Sequence, residues 1–247
     1  LILFASHALR HDIKPYAPGR VEREESAKPM RKLSEAMALA RLQRSKAAFQ
    51  THVKLSFEHR AVDCRVCPTP GVCCTDAHFV NVHITRLEAV AIRETLERTP
   101  RLTEDARRAV YRRAREAVEH YGLHASGDTF AQTYACPLFV RGTGCLVHRR
   151  AKPAPCIQHA CYNGWSDVPP LDLQWREERR VEQLNAEVYG AAWAWLPLPV
   201  WLTLVDPGED GAELQRLARV WESRRVHGDR QAHRAPLKNR TLPVLRS

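Results

Sequence analysis

The sequence predicts a mainly α-helical domain around a cysteine-rich loop core, with at most a few short strands. Three observations carry that expectation. Apolar residues recur at three-to-four spacing over five long stretches, the period of one helix face. Only one stretch, Phe79-Val80-Asn81-Val82, alternates in the two-residue manner of a strand. All eight cysteines fall in two groups, Cys64 to Cys74 and Cys136 to Cys161, each containing prolines and glycines that favour turns.

Taken in order, residues 1–28 mix charges with Pro15, Pro18 and Gly19 and read as a flexible arm. The opening LILFA run lacks a charged leader and a full apolar core, so no signal peptide is expected. The absent initial Met is consistent with an unusual start codon or an incomplete or processed end. Residues 29–226 are expected to form a single helical domain. Its first helix runs from Pro29 to about Arg60, with two apolar stripes, Met30/Leu33/Met37/Ala40 and Leu42/Phe49/Val53/Phe57. His78 and His83 flank the alternating stretch as strand-edge polar residues. Thr85-x-x-Glu88 is a capping box, which starts a helix at Arg86 that ends near Arg98, before Pro100. The next helix is expected from Thr103 to Gly122, burying Ala106, Val110, Ala117 and Tyr121 and showing Arg107, Arg108, Arg112 and Arg115 to solvent. Asp172 caps a helix that reaches Gly190, with Leu173, Val181, Leu184 and Val188 inside.

The run Ala191 to Val205 is the most apolar stretch, but it is short and broken by Pro197 and Pro199, so it is not a bilayer span. It reads as extended chain covering the core, anchored by Trp193, Trp195 and Trp201. A lipid-facing or partner-facing patch is the sharper alternative. After the Asp206-Pro207-Gly208 turn, Leu214, Leu217, Ala218 and Trp221 mark a last amphipathic helix. Residues 227–247 form a basic tail, expected to be disordered unless something acidic orders it. Basic residues outnumber acidic ones 38 to 28, which favours an acidic protein or nucleic acid as partner through that tail, although a solvated basic surface explains the excess as well. With no transmembrane segment expected, the location reads as cytoplasmic. No Walker loop, nucleophile elbow or Cys-x3-Cys-x2-Cys triplet is present.

Two compact groups of thiols point to chemistry. Disulfide frameworks belong to small secreted domains, and 247 residues are enough to bury a sizeable core. Scattered core thiols would not cluster. A metal site therefore fits best, with Cys64, Cys67, Cys73, Cys74, Cys136, Cys145, Cys156 and Cys161 as candidate ligands for zinc or iron, including an iron–sulfur cluster. Cys64-x2-Cys67 can chelate across a tight turn. In an extended segment Cys73 and Cys74 would point to opposite sides and serve two metals, or two irons of one cluster. Gly142 and Gly144 let the chain reverse between Cys136 and Cys145. Cys156-x4-Cys161 could occupy one helical turn, started by Pro153 and Pro155. His148 and His159 lie inside the motif as hydrogen-bond partners or ligands, and Phe130, Tyr134 and Phe139 either pack in the core or exclude water from the thiols.

The order Cys64, Cys67, Cys73-Cys74, then Cys136-Pro137-Leu138, Cys145-x-Val147-His148, Lys152-Pro153, Cys156 and Cys161 resembles the YkgJ-type cysteine-cluster proteins, a family named for zinc or iron chelation. The resemblance covers Cys64 to Cys161, including Val82-x-Ile84-Thr85-x-x-Glu88-x-x-x-Ile92. Two departures stand out. The gap between Cys67 and Cys73 holds five residues where the family has about two, and Lys152 and Ile157 stand where it usually carries arginines. The resemblance implies metal binding of unassigned biochemical role. A distantly similar branch, the flagellin lysine N-methylases, implies an alternative: an iron–sulfur-dependent enzyme that modifies protein side chains. A third reading takes Cys64, Cys67, His78 and His83 with the basic tail as a zinc-dependent nucleic-acid-binding module.

Overall fold

Ser34 starts the first helix. In the computed structural model, which describes residues 32–63, 66–76, 80–126, 129–148, 150–190 and 195–226, its hydroxyl accepts from the Met37 N–H at 3.3 Å. Helix α1 then runs Glu35–Ser56. The helix therefore begins at a side-chain cap; the Pro29 and Met30 of the expected start lie outside the described residues. It buries one face, Ala38, Leu42, Lys46, Phe49 and Val53. The expected stripe through Met37 and Ala40 is corrected: both are exposed, Met37 by 52%. Positions 38, 42, 46, 49 and 53 lie along one line of the helix, and 37 and 40 fall off it.

The other elements follow in short pieces. Strand β1 is Ala61–Val62, α2 Val72–Thr75 and β2 His83–Ile84. Helix α3 is Arg86–Glu97, and its capping box forms as the sequence predicts: Thr85 accepts from the Glu88 N–H while the Glu88 carboxylate accepts from the Thr85 N–H. Helix α4, Glu104–His120, is capped by Thr103 and buries Val110, Tyr111, Ala114 and Ala117. The remaining elements are β3 Phe139–Val140, β4 Gly144–Cys145, α5 Ala154–Gln158, β5 Cys161–Tyr162, α6 Leu171–Tyr189, β6 Leu196–Pro197, α7 Leu198–Leu204 and α8 Ala212–Val226. The strands pair antiparallel as β1 with β5, β2 with β6 and β3 with β4. The fold is thus mainly α, and among the described residues the sheets are two-stranded.

Two other expectations change. Helix α6 begins after Pro170, with Asp172 inside its first turn and paired with Arg176 at 3.2 Å. More importantly, the apolar run before Asp206 is not extended cover. It forms β6 and then α7, with Pro197 at the N-cap and Pro199 in the first turn, where a missing N–H costs nothing. Leu196, Leu198, Val200, Trp201, Leu202 and Val205 are all buried, so the described part of this run packs in the core and offers no lipid-facing or partner-facing patch. Trp201 is fully buried, with its ring centroid 5.9 Å from that of Trp221 on α8. Trp193 lies outside the described residues.

Tyr134 fastens the core to the downstream cysteine group. Its ring is fully buried, and its hydroxyl accepts from the N–H of Val82 at 3.1 Å and of Leu198 at 3.2 Å while donating to the Val82 carbonyl. One phenol thereby joins the chain before β2, the start of α7 and the segment leading to Cys136. No described helix is long and apolar enough to cross a membrane.

Candidate functional site

The upstream thiols are placed by Gly71. Its φ of +83° is left-handed, a conformation L side chains resist, and it turns the chain from the Pro68–Pro70 segment into α2. Cys73 and Cys74 therefore stand on a helical turn. The expectation that an extended segment splays them apart is corrected: their thiols hydrogen-bond to each other. The same glycine makes room for the downstream group, because a Cβ at 71 would sit 1.9 Å from Cζ of Phe139. Replacing Gly71 with alanine combines a strained φ with a displaced Phe139 ring, and should lower the unfolding free energy by about 1–3 kcal/mol in urea denaturation. An unchanged midpoint would show that the turn relaxes freely.

The downstream thiols arrive by three separate devices. Two residues after the Tyr134 anchor, the Cys136 N–H donates to the Cys74 carbonyl at 2.7 Å, so the two cysteine groups meet along their backbones. The chain then reverses in the β3–β4 hairpin, with Gly142 at φ +80° and Gly144 at +88°, setting Cys145 opposite Phe139. Finally, Pro153 and Pro155 start α5, which carries Cys156 and packs through Ala154 and Ile157 against Phe49 and Val53 of α1.

The charges of these thiols act on one another. Burial first, then Cys156 and Cys145, push the Cys136 thiol up, and burial pushes Cys156 up to about 12 against the opposing pull of Lys152 and Lys46. Cys74 is raised by its hydrogen bond to Cys73, then by burial and by Cys136 and Cys156. Cys73 goes the other way, because Cys74 and His159 both hydrogen-bond to its sulfur. Cys73, Cys74, Cys136, Cys145 and Cys156 therefore occupy one region, with His159 as a hydrogen-bond partner. None of the seven described cysteines is in a disulfide, so the bridge reading finds no support among them.

The other three candidates are placed differently. Cys161 does not share a helical turn with Cys156: α5 ends at Gln158, His159 is extended at φ −75° and ψ 126°, and Cys161 enters β5 opposite Val62. This brings it to the upstream segment just before Cys64, which itself lies outside the described residues. Cys67 sits between Val66 and Pro68, half-buried. His148 is exposed beside the hairpin. Among the described residues, no three His, Cys, Asp or Glu side chains stand close enough together to hold a metal ion as they are placed. The donor set suits a thiophilic metal, but those residues do not by themselves close a cage.

No family model, curated protein or solved structure matches this chain.

Two residues beside the thiols escaped notice as parts of the site. Lys46 is 4% exposed, and its ammonium meets Glu88 Oε1 at 2.5 Å and donates to the Lys152 carbonyl at 3.1 Å, close enough to lower Cys156. Glu88 was legible only as a capping residue. The signal for Lys46 was its position between Leu42 and Phe49 on the apolar line of α1. His83 changes role. His83 is fully buried, not a strand-edge group; its ring stacks on Phe130 at 4.3 Å and its Nε2 lies 2.9 Å from the Thr129 carbonyl. That removes it from the finger-like ligand set, whose His78 is outside the described residues.

Proposed function

We propose that this chain is a cysteine-cluster metal protein of the YkgJ type, binding zinc or iron through thiolates from both cysteine groups. The observation that carries the reading is the meeting of Cys74 with Cys136, joined by Cys73, Cys145 and Cys156, from segments more than sixty residues apart. Those five residues would supply ligands, and Cys67, Cys161 and the sequence candidate Cys64 complete the proposed set. A bound cation would supply the positive charge that buried sulfur otherwise lacks. The chain contributes the rest: Tyr134 fixes the approach to Cys136, His159 orients the Cys73 sulfur, and Lys46 and Lys152 place positive charge beside Cys156. Burial raises Cys136 and Cys156, so the charge that lets them lose their protons would come from the cation, with Lys46 and Lys152 helping at Cys156.

A second reading, an iron–sulfur enzyme that modifies protein side chains, is favoured by one feature. A cleft of about 570 Å³ between α1, α3 and residues 150–151 is lined by Lys46 and Glu88, so one ammonium touches both the cleft and the field of Cys156. Elemental analysis of protein purified under nitrogen tests the main reading. The expected result is zinc or iron that survives dialysis and is lost from a Cys136→Ser, Cys156→Ser variant whose circular dichroism remains helical. Metal-free wild-type protein, or equal metal in the variant, would overturn it. Broad visible absorption separates the iron–sulfur reading from colourless zinc.

A further inference from the structure

Away from the thiols, a second cleft of about 510 Å³ lies between the end of α3, the outer side of α4 and the turn at 206–209. Two of its lining residues carry buried polar atoms with nothing to bond. Tyr111 is only 4% exposed, and its hydroxyl has no partner; the Nε of Arg107 is buried and likewise unbonded. A buried donor left unmade is costly, so two of them on residues that line one cleft call for an oxygen acceptor.

The charged walls restrict what that acceptor belongs to. Arg115 is paired with Asp206 and lies 3.6 Å from Glu209. Glu104 holds Arg108 at 3.2 Å and the guanidinium end of Arg107 at 3.8 Å, which leaves Arg107 Nε unused. Burial, then Glu97 and Asp206, raise the Tyr111 phenol, which stays a donor. Three arginines and four carboxylates leave the lining with one net negative charge. A plain anion would meet those carboxylates, and a plain cation would leave both donors unmade. A molecule with a carboxylate and a surplus of positive charge answers both conditions, and a cleft of this size is in the usual range for small-molecule sites.

We propose that this cleft binds an α-amino acid with a cationic side chain, its carboxylate accepting from Tyr111 and Arg107 and its positive groups facing Glu97 and Glu209. The site is independent of any metal. Isothermal titration calorimetry of the full chain with L-arginine, L-alanine and L-glutamate tests it. L-arginine is expected to bind saturably, L-glutamate not at all, and Tyr111→Phe to weaken L-arginine about tenfold, the worth of one hydrogen bond. Because the hydroxyl bonds to nothing within the protein, Tyr111→Phe should melt no lower than wild type. Arg107→Lys, which keeps the charge facing Glu104 but lacks Nε, gives a second reading with the same expected loss. Failure of L-arginine to saturate, equal binding of L-glutamate, or unchanged affinity in both variants would leave the two donors satisfied by water alone and sink the proposal.

Discussion

Replacing Glu88 with glutamine is expected to lower the unfolding free energy by about 3–5 kcal/mol, because it leaves the buried Lys46 ammonium without its counter-charge. Both side chains are nearly inaccessible, at 5% and 4%, and their 2.5 Å contact is not screened by solvent. Glu88 also closes the capping box of α3 through the Thr85 N–H at 3.0 Å, so one residue serves a helix start and an ion pair together. Glutamine keeps one acceptor for the Thr85 N–H but turns its amide donors toward the Lys46 ammonium, so the loss combines the missing charge with a lost acceptor. Urea denaturation measures the loss. A double variant, Lys46→Met with Glu88→Gln, should recover most of it, since the cost lies in the unpaired charge and not in the absence of a pair. If the single and double variants are equally unstable, the cap or packing is responsible instead.

If the chain holds the proposed metal, stripping it from anaerobically prepared protein will lower the melting temperature by roughly 10 °C or more, because ligand binding by a site absent from the unfolded chain is folding free energy. The elements most affected should be α2, the β3–β4 hairpin and α5, since these short pieces bring in the thiols and have little apolar surface of their own. Helices α4, α7 and α8, joined through Trp201 and Trp221, should hold. Hydrogen exchange before and after chelation distinguishes the two sets. Identical melting curves with and without chelator would mean that no metal supports this fold.

Both results bear on one arrangement. The Lys46–Glu88 pair ties α1 to α3, and through the Lys152 carbonyl to the segment that leads into α5 and Cys156. The charge that compensates Glu88 is the charge that Cys156 feels, so stability and thiol electrostatics are coupled at a single ammonium. Loss of Lys46 should therefore be felt both in denaturation and in metal content.

Much of this molecule follows from short-range chemistry. The capping box at Thr85 and Glu88, the Thr103 cap, the glycines of the β3–β4 hairpin and the proline start of α5 each work within a few residues, and each stands where the sequence places it. The apolar run ending at Val205 defeats the same logic: two prolines looked like breakers, yet both fall where a helix tolerates them, and burial of Trp201 outweighs the rest. Cys73 and Cys74 mislead for a similar reason, since a left-handed glycine two residues earlier converts an assumed extended segment into a helical turn.

Spacing along the chain was enough to propose eight sulfurs as a set and to group helices by period. Which sulfurs share a region, that Cys161 departs to pair with Val62, and that a lysine from α1 reaches them depended on chain-distant packing. Caps and turns are settled by energies between neighbours in sequence. A meeting such as that of Cys74 with Cys136 joins segments distant in the chain beside the packed Tyr134, and no local preference encodes it.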